Sequence, residues 1–173
     1  MQVSRKSIAA GNAKHADKRK KLIESLWGDD YLSENKLWNR KSHDGWTTLP
    51  RTMPQIHKIM DKLSGKGTPL SGTNLALWCN VHDEAFLEIK DKERYAFESG
   101  FSGSRAVTTW ISRMRKLEDL GFISSKSGAY GDFSFVLLIN PLHVVKHLYQ
   151  DIEKDNLYNA LVARMNDVGA NFE

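Results

Sequence analysis

The chain is 173 residues long, 40% hydrophobic and 27% charged, with a net charge of +4, which is enough to bury a core without staples and excludes neither binding nor catalysis. Its one cysteine, Cys79, excludes an intramolecular disulfide and fits a reducing compartment. No run is apolar enough to span a membrane, and the first residues lack the apolar segment of a signal peptide, so a cytoplasmic location without membrane contact is expected.

Residues 1–27 form a basic arm, expected to be disordered at first and helical from about Ala13 to Trp27. It carries seven Lys/Arg against two acids, with Lys14 and the run Lys18-Arg19-Lys20-Lys21 crowded together. Leu22, Ile23 and Leu26 supply its apolar stripe. Residues 28–70 form an aromatic-rich extension, broken by Gly28, Gly45 and Pro50. Trp27, Tyr31, Trp38 and Trp46 are expected to anchor it. Within it one helix begins near Pro54, capped by Thr52, buries Ile56, Ile59, Met60 and Leu63, and ends at Ser64-Gly65. Gly65 to Pro69 reads as a linker.

Regular structure is densest over residues 71–140. A helix capped by Ser71 is expected through Leu75, Leu77, Trp78, Val81 and Phe86, with Cys79 buried on it and a short strand at Leu87-Glu88-Ile89. Asp91 then caps a short helix from Lys92 to about Ser99 that buries Tyr95, Ala96 and Phe97, and Gly100 ends it with a positive φ. Ser102 or Ser104 caps a long helix reaching Leu120, stopped by Gly121. At 100° per residue, Val107, Trp110, Ile111, Met114, Leu117 and Leu120 fall on one arc. Arg105, Thr108, Thr109, Ser112 and Lys116 fall opposite, with Arg113 and Arg115 on the flanks. No acid occurs from Ser99 to Leu117, whereas an ordinary surface helix mixes both signs. Phe122-Ile123 and Phe133 to Ile139 read as two strands of a hairpin, with a Ser/Gly-rich turn over 124–131 that carries Lys126 and Tyr130. Two helices joined by a short glycine-containing turn make a helix-turn-helix unit, here followed by a hairpin.

The stretch Tyr95-Ala96-Phe97-Glu98-Ser99-Gly100-Phe101-Ser102, with Val107-Thr108-Thr109-Trp110 and Leu117-Glu118-Asp119-Leu120-Gly121-Phe122-Ile123 after it, resembles the winged helix-turn-helix superfamily of bacterial regulators and replication proteins. The likeness covers about residues 71–140. From Gly100 to Leu117 the chain is about one helical turn longer than the common pattern. The resemblance implies an α+β, mainly helical fold with a winged helix-turn-helix core, a small β-hairpin wing and helical extensions at both ends. It also implies that helix 104–120 enters the major groove of double-stranded DNA. Arg105 then reads guanine, Thr108, Thr109 and Ser112 reach bases or phosphates, and Arg113, Arg115 and Lys116 hold phosphates. Lys126 and Tyr130, at the wing tip, meet the minor groove or backbone. A homodimer is expected, since such proteins bind two-fold sites. Transcriptional regulation and plasmid or phage replication or partition stay open as processes, and a protein-interaction module of a larger assembly stays open as a different use of the fold.

Residues 141–173 are expected to form C-terminal helices. Val145, Leu148, Tyr149 and Ile152 make an apolar stripe after Pro141, and Leu157, Leu161, Met165 and Val168 follow between Asp151 and Val168. His143 and His147, with Asp151, have metal-ligand spacing but lie off the apolar stripe, so they are expected to point outward and no metal is assigned. His82-Asp83-Glu84 diverge if helical, and His43-Asp44 has no nucleophile motif beside it. With no phosphate loop or serine elbow, no catalytic residue, cofactor or small-molecule ligand is expected.

Overall fold

The computed structural model describes residues 5–28 and 37–172, with side chains from residue 15 in the first stretch. Tyr31 and the side chain of Lys14 lie outside these. The chain divides into two compact units, residues 1–46 and 47–173.

In the first unit α1 spans Arg5–Trp27, beginning earlier than the expected Ala13. Leu22, Leu26 and Trp27 are exposed, as are Trp38 and Trp46. Arg40 lies over the Trp46 ring.

The second unit is α+β, with six further helices and one three-stranded antiparallel sheet among the described residues. Its elements are α2 (Met53–Ser64), α3 (Ser71–Asn80), β1 (Phe86–Glu88), α4 (Lys92–Glu98), α5 (Ala106–Asp119), β2 (Ile123–Gly128), β3 (Gly131–Leu138), α6 (Pro141–Leu148) and α7 (Asn156–Val168). The sheet order is β1-β3-β2, so the hairpin strand β3 is central and the early strand β1 docks on its free edge.

Helix α2 buries Ile56, Ile59 and Met60 of the expected stripe, with Leu63 half-buried and Met53 buried besides. Thr52 stands at the N-cap position without a side-chain cap bond. Its hydroxyl is instead buried without a partner. Ser71 is not the cap of α3 either. Asp61, from α2, accepts hydrogen bonds from the backbone N–H groups of Leu70 and Ser71 and from the Ser71 hydroxyl. A carboxylate brought from another helix therefore satisfies two of the open donors of this N-terminus. Helix α3 stops at Asn80, short of the expected extent. Phe86 belongs to β1, and His82-Asp83-Glu84 lie between the two rather than on a helix. Leu75 and Cys79 are exposed, contrary to expectation, because α3 turns its Thr73, Asn74, Ala76 and Leu77 face to the core.

Asp91 caps α4 as expected, its carboxylate accepting from the Arg94 N–H. Tyr95 and Ala96 are buried, but Phe97 is 76% exposed. Gly100 (φ +87°) and Gly121 (φ +83°) close α4 and α5. At each, the glycine N–H and the next N–H fold back onto helix carbonyls: Gly100 to Phe97 and Phe101 to Ala96, then Gly121 to Glu118 and Phe122 to Leu117. This double back-bond needs the left-handed conformation that glycine takes without a Cβ clash. Neither Ser102 nor Ser104 caps α5. Arg105 holds the N-cap position, with no side-chain cap bond.

Trp110, Met114 and Leu117 are fully buried, Trp110 lying edge-on to Phe133 at 6.1 Å and tilted to Tyr95 at 6.2 Å. Helix α7 starts at Asn156, capped by Asp155. It buries Leu161 and Met165 and packs on α2, closing the core. Ile152, expected on the stripe of α6, lies past its end and is 43% exposed.

Candidate nucleic-acid interface

Helix α5 is two-faced because its apolar residues recur every three to four positions, and burying that arc fixes which side meets solvent. Arg105, Thr108, Ser112 and Arg115 are exposed, while Thr109, Arg113 and Lys116 are half-buried. The structure thus brings the exposed hydroxyls and cations onto one side of the helix, with Thr109 partly withdrawn.

Two residues expected as phosphate contacts are engaged within the molecule. The Arg113 Nη2 donates to the Gly67 carbonyl at 3.2 Å, its guanidinium sits 5.8 Å from the Phe101 ring centroid, and its Nε is buried without a partner. Arg113 therefore ties the loop after α2 to α5, and only part of its guanidinium remains for a ligand. Arg115 pairs with Asp132 of β3. Glu118, the first acid after the acid-free stretch, accepts the Ser125 N–H at 2.7 Å. Its charge is spent holding β2 to the end of the helix.

The hairpin differs from the expected one. Its strands run to Gly128 and from Gly131, so the turn is two residues, Ala129 and Tyr130, not 124–131. Tyr130 is at the tip and 46% exposed. Lys126 is not at the tip. It sits within β2 opposite Phe135, on the exposed sheet face that carries Phe86, Phe135 and Leu137, because side chains on one strand alternate faces. Strand propensity of the Ser-rich segment was too weak to read alone; pairing with β3 made it a strand.

Two cations that the sequence did not single out lie near these groups. The Lys92 Nζ approaches to 3.3 Å of the place a Gly131 Cβ would occupy, beside the hairpin tip. Lys90 pairs with Glu88 at 3.1 Å, and that bond raises its pKa. No local pattern in the sequence announces either position.

A groove of about 460 Å³ runs beside the outward side of α5, lined by Thr108, Ser112, Arg115 and Lys116 of the helix, by Ser64 at the end of α2 and by Thr68 of the loop after it. A second cavity, about 440 Å³, lies between α6 and the end of α5, where His143 and His147 stand 4.4 Å apart by ring centroids. Both histidines are exposed, as expected. Among the described residues no group of three or more His, Cys, Asp or Glu is placed to hold a metal, and no helix is long and apolar enough to cross a membrane.

Compared with protein-family models, with curated proteins and with solved structures, the chain finds no match.

Proposed function

We propose that the second unit is a winged helix-turn-helix that binds double-stranded DNA, with α4 and α5 as the helix-turn-helix, α5 as the recognition helix and the β2–β3 hairpin as the wing. The observation that carries this reading is the outward side of α5, which is free of acids until Asp119 in its last turn. Arg105, Thr108, Ser112 and Arg115 are exposed there, and the helix is held rigidly by a buried Trp110, Met114 and Leu117 beneath. The order helix, strand, helix, helix, hairpin, with the early strand on the hairpin's edge, supports it as well. Arg105, at the first turn, is placed for a base edge, since recognition helices enter the major groove with their N-terminal residues foremost. Thr108 and Ser112 supply hydroxyl donors one and two turns on, and Lys116 and Arg115 supply phosphate contacts. Tyr130 and Lys92 serve the neighbouring backbone from the hairpin side. The role is binding without catalysis or cofactor, in transcription or in replication or partition of a plasmid or phage.

Selection of bound sites from a random duplex library tests this. A preferred site, with affinity falling steeply as salt rises, is expected. If the protein acts as a homodimer, the selected sites repeat with two-fold symmetry at about one helical turn. Arg105→Ala should relax one base position, at a cost of about 1–3 kcal/mol. Retention that is weak and blind to both sequence and salt would overturn the proposal in favour of a protein-interaction module.

A further inference from the structure

The Gly65–Thr68 loop reads in the sequence as a linker, yet it forms one wall of the groove beside α5. Three observations make that wall a built one. Arg113 fastens it to α5 through the Gly67 carbonyl. The Thr68 hydroxyl donates to the Ser64 carbonyl at 2.8 Å, and the Ser64 hydroxyl to the Asp61 carbonyl at 2.9 Å, which fixes the loop on the end of α2. Asp61 then locks the far end by accepting from Leu70 and Ser71. Lys66, exposed between Gly65 and Gly67, projects from this pinned segment.

The groove is cationic and has unused donors. Neither Thr108 nor Ser112 has a side-chain hydrogen bond, and neither Lys66 nor Lys116 an ion pair, among the described residues. Asp119 is the one acid in the lining, against Arg113, Arg115 and Lys116. Geometry then names the ligand. A helix with its side chains is about 10–12 Å across, and the major groove of B-DNA is about 12 Å wide. When α5 fills that groove, a segment packed along its flank meets the groove's wall, which is a line of phosphates.

We propose that the groove between the Gly65–Thr68 loop and α5 seats the phosphodiester backbone of one strand of a bound duplex, with Lys116 in its lining and Lys66 joining from the exposed loop, outside the lining. This rests on the duplex-binding reading above and adds a contact segment outside the helix-turn-helix. Its recognition is of phosphate alone, so it contributes affinity and register but reads no bases.

The test is a salt titration of duplex binding by the full chain and by Lys66→Ala, Lys66→Glu, Lys66→Arg, Lys116→Ala, Asp119→Asn and Arg105→Ala, with melting curves to verify folding. On both a selected and an unrelated duplex, Lys66→Ala and Lys116→Ala should each lower the slope of log affinity against log salt by about 0.9, the value of one phosphate contact. Lys66→Glu should weaken binding further, and Lys66→Arg should restore it. Asp119→Asn should strengthen binding on both duplexes. If the parent binds duplex with an Arg105-dependent preference while the Lys66 variants keep its slope, this proposal falls and the DNA-binding reading stands. If the parent binds no duplex, both fall. Saturable binding of inorganic phosphate alone, abolished by Lys116→Ala at constant ionic strength, would overturn the backbone assignment in favour of a free phosphoryl ligand.

Discussion

Arg115 Nη2, on the outward side of α5, stands 3.5 Å from Asp132 Oδ2 at the start of β3, with both side chains about two-thirds exposed (65% and 61%). The pair joins the two elements proposed to meet DNA, and it places a carboxylate where a phosphate would compete for the same guanidinium. An exposed pair contributes little to folding, about 0–1 kcal/mol. Its consequence lies in binding. Asp132→Asn should leave the melting temperature almost unchanged and raise duplex affinity several-fold by removing a negative charge and freeing Arg115. Parallel calorimetry and binding titrations check this, and an unchanged affinity would detach Arg115 from the interface.

Arg113 should behave differently from its neighbours. Its guanidinium is half-buried, bonded to the Gly67 carbonyl and set over Phe101, so truncation strands an acceptor and loosens the loop. Arg113→Ala is expected to cost about 1.5–3 kcal/mol in urea unfolding, the range for hydrogen bonds to charged groups. Arg115→Ala should cost less than about 0.5 kcal/mol. Equal stability losses in the two variants would contradict the tether.

Gly100 and Gly121 both hold φ near +85° where the chain turns back on α4 and α5. Room for a methyl group exists: a Cβ at Gly100 meets nothing within 4 Å, and one at Gly121 meets only Val144 at 3.9 Å. The cost of alanine is therefore backbone strain rather than collision, about 1–2 kcal/mol at each site. Thermal melts of Gly100→Ala and Gly121→Ala measure it, and a neutral result at either would show that the turn relaxes.

Asp155 links α7 to α2 and to the end of α6. It accepts from Lys62, from the Tyr158 N–H and from the Tyr149 hydroxyl. The Lys62 hydrogen bond first, then the Tyr158 N–H, draw its pKa from 3.8 down to about 2. A folded-state pKa below the unfolded value gives stability that is present above pH 3.8 and is lost as pH falls toward 2. Asp155→Asn should flatten the stability profile over that window, and because Asn is an equally good N-cap any loss at neutral pH reports the Lys62 pair rather than the cap. At the other edge, burial and the Asp155 contact push Tyr149 from 10 up to about 12. Its contribution is present below pH 10 and is lost as pH rises toward 12. Unfolding curves from pH 2 to 5, parent against variant, show whether the acid limb belongs to this residue.

Local signals fared well where one residue's own conformation or spacing decided the outcome. The stripes of α2 and α5, the Asp91 cap and the glycine stops at 100 and 121 all belong to that class. Failures came where a distant partner intervened. Ser71 looked like a cap because it is a good cap residue, but Leu70 holds the N-cap position and the Ser71 hydroxyl is spent donating to Asp61. Cys79 and Leu75 looked buried because free cysteine and leucine usually are, yet α3 packs by another face. Lys126 looked like a tip residue because a Ser/Gly-rich run resembles a turn until a strand pairs with it. Of the candidate interface, the composition of α5's outer side was legible. The withdrawal of Arg113 onto the Gly67 carbonyl and the nearness of Lys92 to the hairpin were not.

The amino-acid order alone determined that α5 would be a rod, apolar on one arc and cationic on the other, since a 3.6-residue period and a left-handed glycine stop are properties of neighbouring residues. Only the packed chain decided which of its arginines stay available, that a supposed linker stands beside the helix, and that a carboxylate from β3 faces Arg115. Those are contacts between residues far apart in sequence, and they arise only once burial of Trp110, Ile56 and Leu161 in one core has brought their elements together.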